Sequence, residues 1–212
     1  MTSTAISAQG SKLETETGSG AAKSITSIQP GFPTIITIAG HGLSNGNVVA
    51  LAGIVGSMAA KLNGATAVLT NSTVDTFAVQ VDTTGLAYTS GGTAAPVAYT
   101  QIKNLKSFNG FDGAASEIDV TNLDSTAKEF SLGLQDFGKL SININPDFDD
   151  AGQNAMRAAK ADGTKKWFKL TLPNGRVASF QALVKSAPWQ GGVDQVIEGT
   201  VELRISGNVT VA

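Results

Sequence analysis

Apolar and polar residues alternate strictly in four stretches of the C-terminal half. Leu140, Ile142 and Ile144 alternate with Ser141, Asn143 and Asn145, and Phe168, Leu170 and Leu172 with Trp167, Lys169 and Thr171. Ala178, Phe180, Ala182 and Val184 alternate with Ser179, Gln181 and Leu183, and Val201, Leu203 and Ile205 with Thr200, Glu202 and Arg204. A period of two puts alternate side chains on opposite faces of a strand. Each stretch therefore predicts a strand with one core face and one polar face open to solvent or a partner. Pro173-Asn174-Gly175, between two of these stretches, predicts a hairpin turn.

One segment departs from this period. Ala151–Ala161 predicts a helix, with Asp150 as N-cap, Gln153 completing a capping box, and Asp162-Gly163 as a left-handed stop. So short a helix, with Met156 as its largest apolar residue, is stable only when packed on something larger. From about Ala98 onward the chain thus reads as a β-sandwich with one helix laid across it.

Residues 24–97 follow another pattern. Short apolar runs, Thr34–Ala39, Val48–Ala52, Ala65–Thr70 and Thr76–Val81, alternate with turn signals at Gly40-His41-Gly42, Ser44-Asn45-Gly46, Asn63-Gly64 and Gly91-Gly92. Evenly spaced short strands of this kind predict a small all-β barrel or sandwich. Val55–Leu62 has room for one short helical turn. The predicted fold class is mainly β throughout.

Charge density marks the same boundary. Residues 1–100 hold three Lys and four acidic residues, whereas residues 101–212 hold twelve Lys or Arg and thirteen acidic residues. Overall only 15% of residues are charged, against roughly 25% in an average soluble domain. A surface so poor in charge suits contact with other protein. The formal net charge of -2 argues against sequence-independent binding of nucleic acid, which needs a basic excess. Met1 to Ser11 lacks the basic and apolar regions of a secretory signal, and no apolar run reaches the roughly 20 residues of a membrane helix. The expectation is a soluble chain that does not enter membranes.

Candidate chemistry is sparse. The chain has no Cys and a single His, so the common zinc sets cannot form. His41, between two glycines, reads as a turn residue. Asp147-Phe148-Asp149-Asp150-Ala151-Gly152 resembles a calcium loop only in its opening, because Ala151 and Ala158 stand where oxygen ligands belong. Gly18-Ser19-Gly20 and Gly191-Gly192 lack the context of a phosphate loop. No catalytic, cofactor or metal site is expected. Trp167 and Trp189 read as core or interface anchors. The acids from Asp112 to Asp150 have only Lys128 and Lys139 among them. They read either as a solvated surface or as an acidic lining that repels passing phosphates.

Several segments carry a resemblance when taken in order. They are Ser11-Lys12-Leu13-Glu14-Thr15, Gln101-Ile102-Lys103-Asn104-Leu105-Lys106, the acidic stretch after Gly110, the helix, and Lys166 to Val177 with the strands that follow. Together they resemble the tail tube proteins of lambda-like long-tailed bacteriophages, over roughly residues 8–18 and 98–208. The resemblance implies a tail-tube β-sandwich domain of residues 1–23 and 98–212, with residues 24–97 as an inserted barrel. That insert resembles the small β-barrel insert of ubiquitin-activating enzymes, through Ser27-Ile28-Gln29-Pro30, Thr34 to Ile38, His41 to Gly46, Leu62-Asn63-Gly64, Thr76-Phe77 and Tyr88 to Gly92.

The resemblance implies a structural virion protein rather than an enzyme. Six copies would form a ring, and stacked rings a hollow tube through which genome DNA passes without specific binding. Implied partners are further copies of the chain and the tape-measure, tail tip and tail terminator proteins. The implied setting is the virion tail after synthesis in the host cytoplasm. An inter-ring stacking loop would span Asn109 to Lys128, including Gly110, Phe111, Asp112, Gly113, Glu117, Asp119 and Asp124, and its composition suits a segment that orders on assembly. Glu117, Asp119 and Asp136 are candidates for an acidic lumen lining. A tube initiator, a type VI-like secretion tube subunit and a virion surface-binding or adhesion protein are the alternatives.

Overall fold

A computed structural model of the chain describes residues 5–212. The strands, in chain order, are β1 (Lys12–Ser19), β2 (Lys23–Ser24), β3 (Ser27–Gln29), β4 (Thr34–Thr37), β5 (Val48–Gly56), β6 (Thr66–Thr70), β7 (Thr76–Val79), β8 (Tyr88–Gln101), β9 (Leu105–Gly110) and β10 (Ala115–Asp119). They continue as β11 (Phe130–Gln135), β12 (Lys139–Ile144), β13 (Lys166–Thr171), β14 (Val177–Ser186), β15 (Trp189–Gln190), β16 (Glu198–Ile205) and β17 (Thr210–Val211). Two helices interrupt them, α1 (Ala59–Leu62) and α2 (Ala151–Asp162). The fold is mainly antiparallel β, as the alternation predicts. The chain divides into two compact units.

The first unit comprises the residues up to Gln101 with Phe168–Ser179 and Thr210–Ala212. Its strands run in the order β3-β4-β7-β6-β5-β8-β1-β13. Ile28, Ile36, Leu51, Met58, Leu62, Leu69, Phe77 and Val79 belong to a single buried cluster. The cluster draws only on residues 25–94, so this stretch closes around its own core. His41 is buried against it, edge-on to Phe77 at 5.2 Å between ring centroids. Its Nδ1 accepts from the Leu43 N–H at 3.0 Å, the turn role the sequence assigns to it. Strand β8 changes partner along its length. It pairs with β5 as far as Val49↔Pro96 and with β1 from Ser19↔Val97 to Glu14↔Gln101.

Gly91-Gly92, expected as a break, lies inside β8. Both residues have positive φ, 73° and 97°. A Cβ on Gly92 would stand 2.7 Å from Ile54 Cγ1. The pair is there because β5 approaches closely, and the ladder passes through it at Ile54↔Gly91. The short turn expected within Val55–Leu62 is narrower, because β5 runs on to Gly56 and α1 begins at Ala59.

The second unit comprises Ile102–Trp167 and Phe180–Val209. Its strands run β14-β16-β12-β9, with β15 paired to β16. The predicted core faces are buried: Leu140, Ile142 and Ile144 on β12, Val201, Leu203 and Ile205 on β16, and Phe180, Ala182 and Val184 on β14. Leu140 stands opposite Leu203 and Ile142 opposite Val201. Trp167 is buried beside Phe168 rather than alternating with it, so both faces of β13 are covered there. Trp189 is 63% exposed and packs edge-on against Phe148.

Helix α2 starts and stops as its sequence dictates. The Asp150 carboxylate accepts from the Gln153 N–H at 2.8 Å, and Gly163 closes the helix in the left-handed conformation. The reciprocal half of the capping box is replaced by a different use of Gln153. Its side-chain N–H donates to the carbonyls of Lys103 and Asn145, and its carbonyl accepts from the Asp147 N–H at 2.8 Å. A buried amide bonding three backbone groups ties the helix to the ends of β9 and β12. Gln153→Leu is expected to leave those groups unpaired and to cost about 2–4 kcal/mol. Asp150→Ala, which removes a cap, is expected to cost about 1 kcal/mol. Urea unfolding midpoints of the two variants check the order.

Candidate assembly interface

The stretch between β9 and β12 forms an arm. Strands β10 and β11 pair only with each other, in a separate two-stranded sheet. Glu117 stands opposite Leu132 and Asp119 opposite Phe130, so one face mixes carboxylates with large apolar side chains. Phe130, Leu132 and Leu134 are exposed, the last at 93%, together with Ile118 and Val120. A lone hairpin is marginally stable in water, and large apolar residues exposed together on it make it a candidate contact surface.

The arm is anchored at a tight crossing. Gly110 pairs with Leu140 and the Phe111 N–H donates to the Lys139 carbonyl at 2.9 Å. Phe111 packs edge-on against Phe180 at 5.4 Å. Asp112 accepts from the Lys139 N–H at 3.1 Å, and Asp136 from the Gly138 N–H at 2.8 Å. Asp136 also pairs with Arg204. A Cβ on Gly113 would lie 1.8 Å from the Asp136 carbonyl, and one on Gly138 2.6 Å from the Gly113 nitrogen. The two ends of the arm cross at a distance that only glycine allows.

The expected stacking-loop residues therefore divide into three places. Asn109 and Gly110 end β9, and Phe111, Asp112 and Gly113 build the crossing. Glu117 and Asp119 lie on β10, while Asp124 and Lys128 lie in the loop at the tip. That loop is held by the Thr121 N–H on Asp119 at 2.9 Å, the Asp124 N–H on Asn122 at 2.8 Å, and the Ser125 hydroxyl on Glu129 at 3.1 Å. Of the three candidate lumen acids, Asp136 sits at the crossing with Asp112, apart from Glu117 and Asp119 on β10. The apolar row of β11 was missed because its alternation is short. Its signal is Phe130, Leu132 and Leu134 alternating with Ser131, Gly133 and Gln135.

Among the described residues no group of three or more His, Asp or Glu side chains could hold a metal ion. No helix of the described residues is long and apolar enough to cross a membrane.

Asp136 lies below the usual carboxylate range, chiefly because the Gly138 N–H bonds its charged form and then because of Arg204. A depressed folded-state pKa contributes stability at pH above the ordinary value of 3.8 and loses it as pH falls through the lower folded value. Protection of the Gly138 amide, taken as its exchange rate relative to the intrinsic rate at the same pH, is therefore expected to fall as pH drops below the ordinary carboxylate value of 3.8 in the native chain. In Asp136→Asn that protection should be lower at neutral pH and lack the acid step.

Comparison with known proteins bears on these features. Residues 79–212 match the family model described as phage tail tube, TTP, lambda-like. A chain in the solved virion of a native gene transfer agent particle is similar at 18% identity and a TM-score of 0.46, covering 54% of this chain and 88% of that one. No curated protein sequence matches.

Proposed function

The chain belongs to the lambda-like phage tail tube family, a family of virion structural proteins, and on that premise we infer that it assembles into hexameric rings that stack into a hollow tube conducting the genome during infection. The observation that carries this reading is the arm. Its row of Phe130, Leu132 and Leu134 lies in water in the single chain, and burial against a second copy would stabilise each by about 1.5–3 kcal/mol. Residues 109–128, the rest of the arm, act together with that row as the inter-ring contact. Glu117, Asp119 and Asp136 border the channel, where negative charge repels phosphates rather than binding them. The tape-measure, tail tip and terminator proteins are the further partners of such a tube.

Residues 24–97 form an inserted barrel in this reading. Support comes from the buried cluster confined to residues 25–94 and from the change of partners along β8 at Pro96 and Val97. A domain of this size belongs on the outside of the tube, because inside it would obstruct the lumen.

Negative-stain microscopy of the purified protein tests the reading. Long hollow tubes are expected, with extra density on the exterior; isolated rings would point to a tube initiator, and monomers under all conditions would overturn it. Leu132→Asn with Leu134→Asn is expected to abolish tubes. Both residues are exposed, so the monomer should keep its stability to within about 0.5 kcal/mol, as thermal unfolding would report.

A further inference from the structure

A groove of about 380 Å³ opens beside helix α2. Ile144, Met156 and Val201 form its apolar floor, and Phe148 and Trp189 one wall. Its rim carries Arg157 and Lys160. Arg157 stacks on the Phe148 ring at 4.5 Å and donates to the Asp147 carbonyl and to the side-chain oxygens of Asn154 and Gln153. All of these acceptors are neutral, and neither rim cation makes an ion pair among the described residues. The groove is thus apolar within and positive at its edge.

The tip of the arm has the opposite character. Leu123 is exposed at 105%, more than any other large apolar residue described. Glu117, Asp119, Asp124 and Glu129 surround it in sequence, against Lys128 alone. Leu123 lies ten positions beyond Gly113 at the crossing, which allows a reach of at most about 33–36 Å.

We propose that the arm tip of one copy seats in the α2 groove of a second copy, with Leu123 against Met156 and Trp189 and the Asp124 carboxylate against Arg157 and Lys160. The proposal rests on the tube reading and adds the receptor surface to it. An apolar anchor in a pocket with complementary charge at its rim gives both affinity and register. The same contact fixes the direction of stacking, because tip and groove are different surfaces and the interface is head-to-tail.

The absence of cysteine from the chain makes a clean test available. Leu123→Cys and Ala161→Cys variants, one carrying a size tag, are co-assembled and oxidised. A heterodimer on a non-reducing gel is expected from tubes, and none from dilute monomer or from Leu123→Cys paired with Ser44→Cys. Wild-type tubes without the heterodimer would overturn the seating and leave the tube reading standing; absence of wild-type tubes would remove both. A charge pair gives a second measurement should a cysteine block assembly. Lys160→Glu is expected to raise the critical concentration for tube growth at least about threefold, and Asp124→Lys in the same chain to restore it. A double variant no better than Lys160→Glu alone would also overturn the seating.

Discussion

The ladder between β9 and β12 is the constraint on which the second unit depends. Its register sets Gly110 opposite Leu140 and Phe108 opposite Ile142. Because side chains alternate with a period of two, a slip of one residue would turn Leu140, Ile142 and Ile144 to solvent. The arm leaves the sheet where β9 ends and returns where β12 begins. The burial that fixes the core therefore also fixes the base of the arm.

Much of the second unit's sheet could be read from the sequence because β12 and β16 each have one covered face. Leu140 to Ile144 and Val201 to Ile205 announce themselves by alternation, and α2 by Asp150 and Gly163. The exceptions have physical causes. Gly91-Gly92 carries the composition of a turn, but the close approach of β5 selects it. Trp167 breaks alternation because its strand is covered on both sides. Gln153 has the spacing of a capping box, while its amide serves three backbone groups from distant parts of the chain, which sequence spacing cannot reveal.

The candidate site was legible in position but not in character. A Gly-, Ser- and Asp-rich segment signals a contact loop, and Asp112, Gly113 and Asp124 lie in it. The composition hides the pairing of Glu117 with Leu132 and Asp119 with Phe130, which puts acids and apolar residues on one face. Such a face resembles the rim and centre of a protein interface more than a solvated charge run.

Residues 24–97 obey a different logic. Their buried cluster takes no residue from beyond Ala94, so they bring their own core rather than borrowing one. They are nonetheless attached through continuous backbone, because β8 leaves the ladder with β5 at Pro96 and enters the pairing with β1 at Val97. A strand shared in this way has no hinge residue between its two roles, and the hydrogen-bonded pairs on either side leave little freedom at the junction. The Ser179 hydroxyl on β14 adds a further tie, donating to the Gly46 carbonyl at 2.7 Å.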